Sequence, residues 1–198
     1  MPLNNNYSTL CFNCPNSKCL YPGLKPNNQK LSTLRKHLVS SVKKLYANDY
    51  HLISNMVNEV DIVAHIWYYF KSNYASNYQG YDIDIEYNRC GNDPKGIYYD
   101  KYEIRNTRPD FIIHKRGCNK YNFAVMEFKC YWNYEDRNED YNKLIHFTNN
   151  ISYNNDFQKL YNYTHGIFVE LLKSSFKIKW FKNGSEYSGY NAEYSIGD

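Results

Sequence analysis

The stretch "RPDFIIHKRGCNKYNFAVMEFK", residues 108–129, holds two apolar runs, about 108–115 and 121–130, joined by "RGCNK". Each run carries acid where a buried strand should have none. Asp110 heads the first run, and Glu127 stands with Lys129 in the second. In a β-hairpin, opposed residues have numbers that add to a constant. A turn centred at 118.5, between Cys118 and Asn119, therefore sets Asp110 opposite Glu127. Opposed side chains on one face have Cβ atoms about 5 Å apart, and like charges there repel. Phe123, Val125, Glu127 and Lys129 share one face of the second run, while Ala124, Met126, Phe128 and Cys130 share the other. Two largely apolar faces predict a central strand. Unpaired buried ions cost several kcal/mol, so these charges require a metal ion, each other, or both.

The flanking sequence supplies layers for such a hairpin. Leu31, Leu34, Leu38, Val42 and Leu45 recur at three and four residues, which predicts an amphipathic helix. A second helix is expected from about Val57 to Tyr74, burying Val60, Val63, Ile66, Trp67 and Phe70. Glu59 precedes Val63, Ile66 and Phe70 by four, seven and eleven residues, so it shares their azimuth and points inward. "YDIDIEYNR", 81–89, alternates Tyr81, Ile83, Ile85 and Tyr87 with Asp82, Asp84 and Glu86, the pattern of a half-solvated strand with its acids in water. Residues 137–163 read as one or two helices, and "GIFVELL" and "FKIKWF" as strands, the second closed by Asn183-Gly184. The implied fold class is α/β, a central mixed sheet flanked by helices over residues 31–198. Residues 1–30, rich in Asn, Pro and Cys, read as an irregular N-terminal segment.

A chain of 198 residues fits one ordinary core, and a net charge of +4 is compatible with a polyanionic partner without demanding one. The 23 tyrosines could stack bases, but Tyr, Asn and Lys are over-used together, as AT-rich coding sequence produces. No apolar run approaches the roughly 20 residues that cross a bilayer, and "MPLNNNYSTL" lacks a secretory pattern. A soluble intracellular protein is expected, cytoplasmic, or nuclear in a eukaryote.

Two carboxylates facing one point, with the Phe128 carbonyl between them, supply hard oxygen ligands for Mg²⁺ or Mn²⁺. Lys129 would stand beside that ion, and Glu59 would complete the acidic group. Metal-activated water with an ammonium near the reacting centre is the equipment for phosphodiester hydrolysis. The plainer reading makes Glu127 and Lys129 a same-face ion pair on an exposed strand, with Asp110 capping the strand start after Pro109.

At these residues the chain resembles the PD-(D/E)XK nuclease superfamily, of restriction-endonuclease-like fold. "RPD" at 108–110 matches one half of its motif and "EFK" at 127–129 the other. "EYNR", "RPDFIIHKRG", "NFAVMEFK", "HGIFVEL" and "KIKWFKNG" are similar to a group of small bacterial and phage members, over roughly 55–183. The resemblance implies an αβββαβ core, metal ligation by Asp110 and Glu127, and a Lys129 that orients the attacking water and offsets phosphate charge. Glu59 matches the acid that many members carry on the preceding helix. The implied activity is a divalent-metal-dependent nuclease, acting on DNA in preference to RNA. A non-catalytic nucleic-acid-binding module of the same fold and a metal-stapled interaction protein stay open as alternatives, as does a homodimer.

Glu86 is a weaker acidic candidate than Glu59, and His114 either touches substrate or is a satisfied structural histidine. Arg108, Lys115 and Arg116, with Lys101, Arg105 and Lys120, are candidate phosphate contacts or simply solvated charges. Cys11, Cys14 and Cys19 in "CFNCPNSKC" have a C-x₂-C-x₄-C spacing that suits Zn²⁺, with His37 or a distant cysteine as fourth ligand. Reduced, unliganded thiols are the alternative.

Overall fold

The leucine spacing from Leu31 produces helix α1 (Leu31–Asn48) in the computed structural model, which describes residues 31–90, 93–98, 104–117, 121–149 and 161–196. Cys11, Cys14, Cys19, Lys101 and Lys120 lie outside the described residues. α1 buries Leu34, Leu38, Val42 and Leu45, as the stripe requires. A short α2 (Tyr50–Ser54), absent from the periodicity reading, leads into α3 (Glu59–Tyr74). The Asn58 side chain caps α3 by accepting from the Val60 N–H at 3.2 Å. α3 buries Ile62, Val63, Ile66 and Phe70. Val60, expected inside, is exposed: it sits in the first turn, and Ile62, one turn before Ile66, takes its place in the core. Trp67 is half-buried, and its indole N–H donates to the Ile83 carbonyl at 2.9 Å, tying the helix to the sheet.

Among the described residues the sheet has seven strands: β1 (Asp82–Ile85), β6 (Phe111–His114), β7 (Ala124–Cys130), β8 (His165–Leu171), β9 (Ser175–Lys182), β10 (Ser185–Glu186) and β11 (Ala192–Ser195). Two small ribbons, β2 (Arg89–Cys90) with β3 (Asp93–Pro94) and β4 (Gly96–Tyr98) with β5 (Ile104–Asn106), lie between β1 and β6 in sequence. The spatial order is β1-β6-β7-β8-β9-β10, and β11 also pairs with β9. β6 is antiparallel to β1 and β7, whereas β7 and β8 are parallel, as strands joined by a crossover helix must be. That helix is α4 (Arg137–Thr148). The result is an α/β fold with a mixed central sheet flanked by helices. No helix among the described residues is long and apolar enough to cross a membrane.

All seven residues of β7 are buried, which befits a central strand covered on both faces. Phe111, Ile112 and Ile113 face Met126, Val125 and Ala124, each pair of numbers totalling 237, the register that sets Asp110 against Glu127. On one face Phe111, Ile113, Met126 and Phe128 pack with α1 and α3; on the other Ile112, Val125 and Phe168 pack with Leu144 and Phe147 of α4. Gly166 permits the second contact, because a Cβ there would stand 2.9 Å from Thr148 Cγ2 and 3.0 Å from Phe181 Cβ.

Two sequence expectations need qualification. The helical reading of 137–163 holds over Arg137–Thr148; residues 150–160 lie outside the described residues, and Tyr161 and Tyr163 beyond them are non-helical and buried against Phe147. The acidic face of β1 is not wholly in water, for Asp84 is buried among its own ion pairs. The turn after β9 follows expectation: Asn183 and Gly184 both take positive φ, the hairpin geometry that this dipeptide favours.

Candidate functional site

Pro109 has no N–H to give a ladder, and β6 pairs with β7 only from Phe111 onward. Past Glu127 the β6-side edge of β7 therefore has no strand partner. Two carboxylates satisfy it instead. Asp110 Oδ2 accepts the Phe128 N–H at 2.7 Å, and Glu59 Oε2 accepts the Cys130 N–H at 2.7 Å. Buried main-chain donors must be paired, so the opened edge fixes Asp110 and Glu59 in place.

Glu127 is 2% exposed and Lys129 6%. The Lys129 ammonium lies 3.1 Å from Glu135 Oε2, 3.2 Å from Asp140 Oδ2 and 3.8 Å from Glu59 Oε1. Asp140, in the first turn of α4, is also buried. Lys143, one turn on, places its ammonium 2.7 Å from Asp140 Oδ1 and 3.3 Å from Glu127 Oε2. Asp136 caps the helix by accepting from the Asn138 N–H at 2.9 Å. Arg137 steadies the preceding loop, donating to the carbonyls of Asn133 and Glu135 and to Glu170 Oε1 at 3.2 Å.

Two oxygens in this cluster have no hydrogen bond: Glu127 Oε1 and Asp140 Oδ2. The second makes only the ion contact to Lys129, without hydrogen-bond geometry. Acid also outnumbers base: among the described residues, Glu59, Asp110, Glu127 and Asp140 face only Lys129 and Lys143. Burial, with Glu59 and Asp140 adding to it, raises the Asp110 carboxyl to about 7 against the pull of the Phe128 N–H and Lys143. Burial and then Asp110 push Glu127 well above the carboxylate range. For both lysines burial works downward, but the surrounding carboxylates outweigh it and hold the ammonium ions charged.

Among the described residues no three His, Cys, Asp or Glu side chains converge closely enough to hold a metal ion as they stand. The donor set nonetheless fits a hard divalent cation: all-oxygen, acid-rich, with two buried oxygens that make no hydrogen bond. Phe128, whose carbonyl was expected between the acids, contributes its N–H to Asp110.

The other candidates lie further along the same strands. Asp84 accepts from His114 Nε2 at 3.0 Å and from both Nε and Nη2 of Arg116. Asp82 pairs with Lys115 at 3.2 Å and accepts the Arg116 N–H. Arg108, its side chain 65% exposed, reaches Glu86 at 3.4 Å. His114 is buried in this network, as a structural histidine would be. His37 is not placed as a surface ligand: it is buried, stacked on Tyr74 at 4.0 Å and hydrogen-bonded to the Tyr78 hydroxyl.

The structure thus brings Asp110, Glu127, Lys129 and Glu59 together and adds Asp140, Lys143 and Glu135, which the sequence reading did not single out. The signal for Asp140 was present. It precedes Leu144, Phe147 and Thr148 by four, seven and eight residues, the azimuth relation that marked Glu59. No protein-family model matches this chain, and no curated protein or solved structure shows significant similarity to it.

Proposed function

We propose that this protein is a divalent-metal-dependent nuclease of restriction-endonuclease-like fold, cleaving phosphodiester bonds in nucleic acid, with DNA preferred to RNA. The observation that carries the reading is Glu127: a fully buried carboxyl with one oxygen unpartnered, in hairpin register with Asp110 and two residues from an ammonium on its own face. The order α3, β1, β6, β7, α4, β8, with β7 and β8 parallel, supports the fold assignment. Asp110, Glu127 and Glu59 would hold Mg²⁺ or Mn²⁺, and Asp140 lies within the same group. Such an ion supplies Lewis-acid stabilisation of phosphate charge and a lowered water pKa.

The chain's own groups perform the remaining work. Lys129 stays protonated among its carboxylates, orients the attacking water and offsets charge building on the phosphate oxygens. Water oxygen bonds to phosphorus as the P–O3′ bond breaks, leaving a 5′-phosphate and a 3′-hydroxyl. Arg108, exposed beside Asp110 in sequence and paired with Glu86, would exchange that partner for a neighbouring phosphate.

One observation favours a second reading. Asp110 and Glu59 already serve a structural purpose by satisfying the open edge of β7. On that reading the cluster only braces the sheet, and the protein binds nucleic acid without cutting it. Incubation with single- and double-stranded DNA and RNA in Mg²⁺ or Mn²⁺, beside Asp110→Ala and Lys129→Ala, separates the two. Cleavage by the wild type alone supports the nuclease; binding without cleavage in all three proteins supports the bracing role.

A further inference from the structure

Lys143 occupies an unusual position for a lysine on a half-solvated helix. Its ammonium sits between Glu127 Oε2 and Asp140 Oδ1, and it is the group that hydrogen-bonds the Glu127 carboxylate. Lys129 contacts Glu59, Glu135 and Asp140 instead. The Lys143 side chain is 24% exposed, so it reaches the acids from the solvent side. The other oxygens of the same two carboxylates, Glu127 Oε1 and Asp140 Oδ2, make no hydrogen bond. A divalent cation on those oxygens would lie one carboxylate away from the Lys143 ammonium on Glu127 Oε2 and Asp140 Oδ1, and the two positive charges would repel.

The geometry points to Lys143 as an internal counter-ion that keeps the acidic site closed until a divalent cation displaces its ammonium from Glu127 and Asp140. This rests on the metal-dependent reading above and adds a form of regulation to it. Two charge-assisted hydrogen bonds must break before the cation can enter, so the site has a built-in threshold concentration. Displacement releases the lysine toward solvent on a flexible four-carbon stem, where a phosphate could then receive it.

Two measurements on the full chain test this without relying on activity. The first is Mn²⁺ affinity, read by calorimetry on wild type, Lys143→Met and Lys129→Met. Lys143→Met is expected to bind at least about tenfold more tightly than wild type, and Lys129→Met to gain clearly less, because loss of a nearby charge alone affects both. The second is amine acetylation read by mass spectrometry. Lys143 labelling should rise several-fold at saturating Mn²⁺ while Lys129 labelling does not. Equal Mn²⁺ affinity in wild type and Lys143→Met, or Lys143 labelling unchanged by the ion, overturns the counter-ion role and leaves the nuclease reading standing. Failure of wild type and both variants to bind Mn²⁺ at millimolar concentration overturns the metal-dependent reading itself.

Discussion

Two ionic clusters share one face of the sheet and resolve their charge in opposite ways. Around β1 and the end of β6, Asp82 and Asp84 meet Lys115, Arg116 and His114, and every carboxylate has a basic partner. Burial opposes ionisation of Asp84, yet His114 and Arg116 together hold it well below the ordinary carboxylate range. About four residues back along β6, roughly 13 Å away, the group around Glu127 has more acid than base and two oxygens without hydrogen bonds. There the same burial wins, and the carboxyl groups of Asp110 and Glu127 are pushed up. A balanced cluster stabilises the fold as it stands, whereas an acid-rich one must be neutralised by protons or, as proposed above, by a cation.

Substitutions should therefore act with opposite sign in the two places. Asp84→Ala leaves the buried His114 ring without its partner, while the half-exposed Arg116 turns to water, and is expected to cost about 2 kcal/mol; urea unfolding that shows less than a third of this would make the cluster ornamental. Gly166→Val forces α4 off β8 at a cost of about 2 kcal/mol and carries Asp140 and Lys143 away from Glu127. In that variant the Mn²⁺ response should weaken. Glu127→Gln removes excess acid and should stabilise the cation-free protein by about 1 kcal/mol, while abolishing stabilisation by Mn²⁺ in thermal unfolding.

A different kind of effect is one of pH. Asp110 has a folded value of about 7 against 3.8, so its contribution is whole below about pH 4 and is lost as pH rises through 7. Asp84 is depressed, so its contribution is present above 3.8 and is lost as pH falls through the lower folded value. Without divalent ions, unfolding temperature should peak at mildly acidic pH; with Mn²⁺ the decline toward neutrality should flatten. A profile that falls equally with and without the ion would separate Asp110 from the cation site.

Much of this arrangement was legible in the sequence because periodicity and register are geometric. The stripe of α1, the inward Glu59 and the pairing of Asp110 with Glu127 follow from spacing alone. The same rule applied to α4 would have exposed Asp140, but a helix reading "RNEDYNKLIHFT" has few apolar residues to define its inner face. Lys143 is harder to see, since its position depends on how closely α4 approaches the sheet. The alternation of β1 gave two faces correctly but not which of them water reaches. That depended on the bases that β6 delivers, His114 from within the strand and Arg116 just past its end, brought there by tertiary pairing rather than by any neighbour in sequence.

Glycine at position 166 also imposes an order on biosynthesis. Asp110, Glu127 and Lys129 leave the ribosome early, but α4 finds its seat only once β8 lies beside β7. A chain truncated before that strand holds nearly every charged group of the centre and lacks the floor on which to assemble them. If those groups cut nucleic acid, the nascent polypeptide is innocuous to the messenger and genome around it, and its hazard begins only when the last third of the protein has folded.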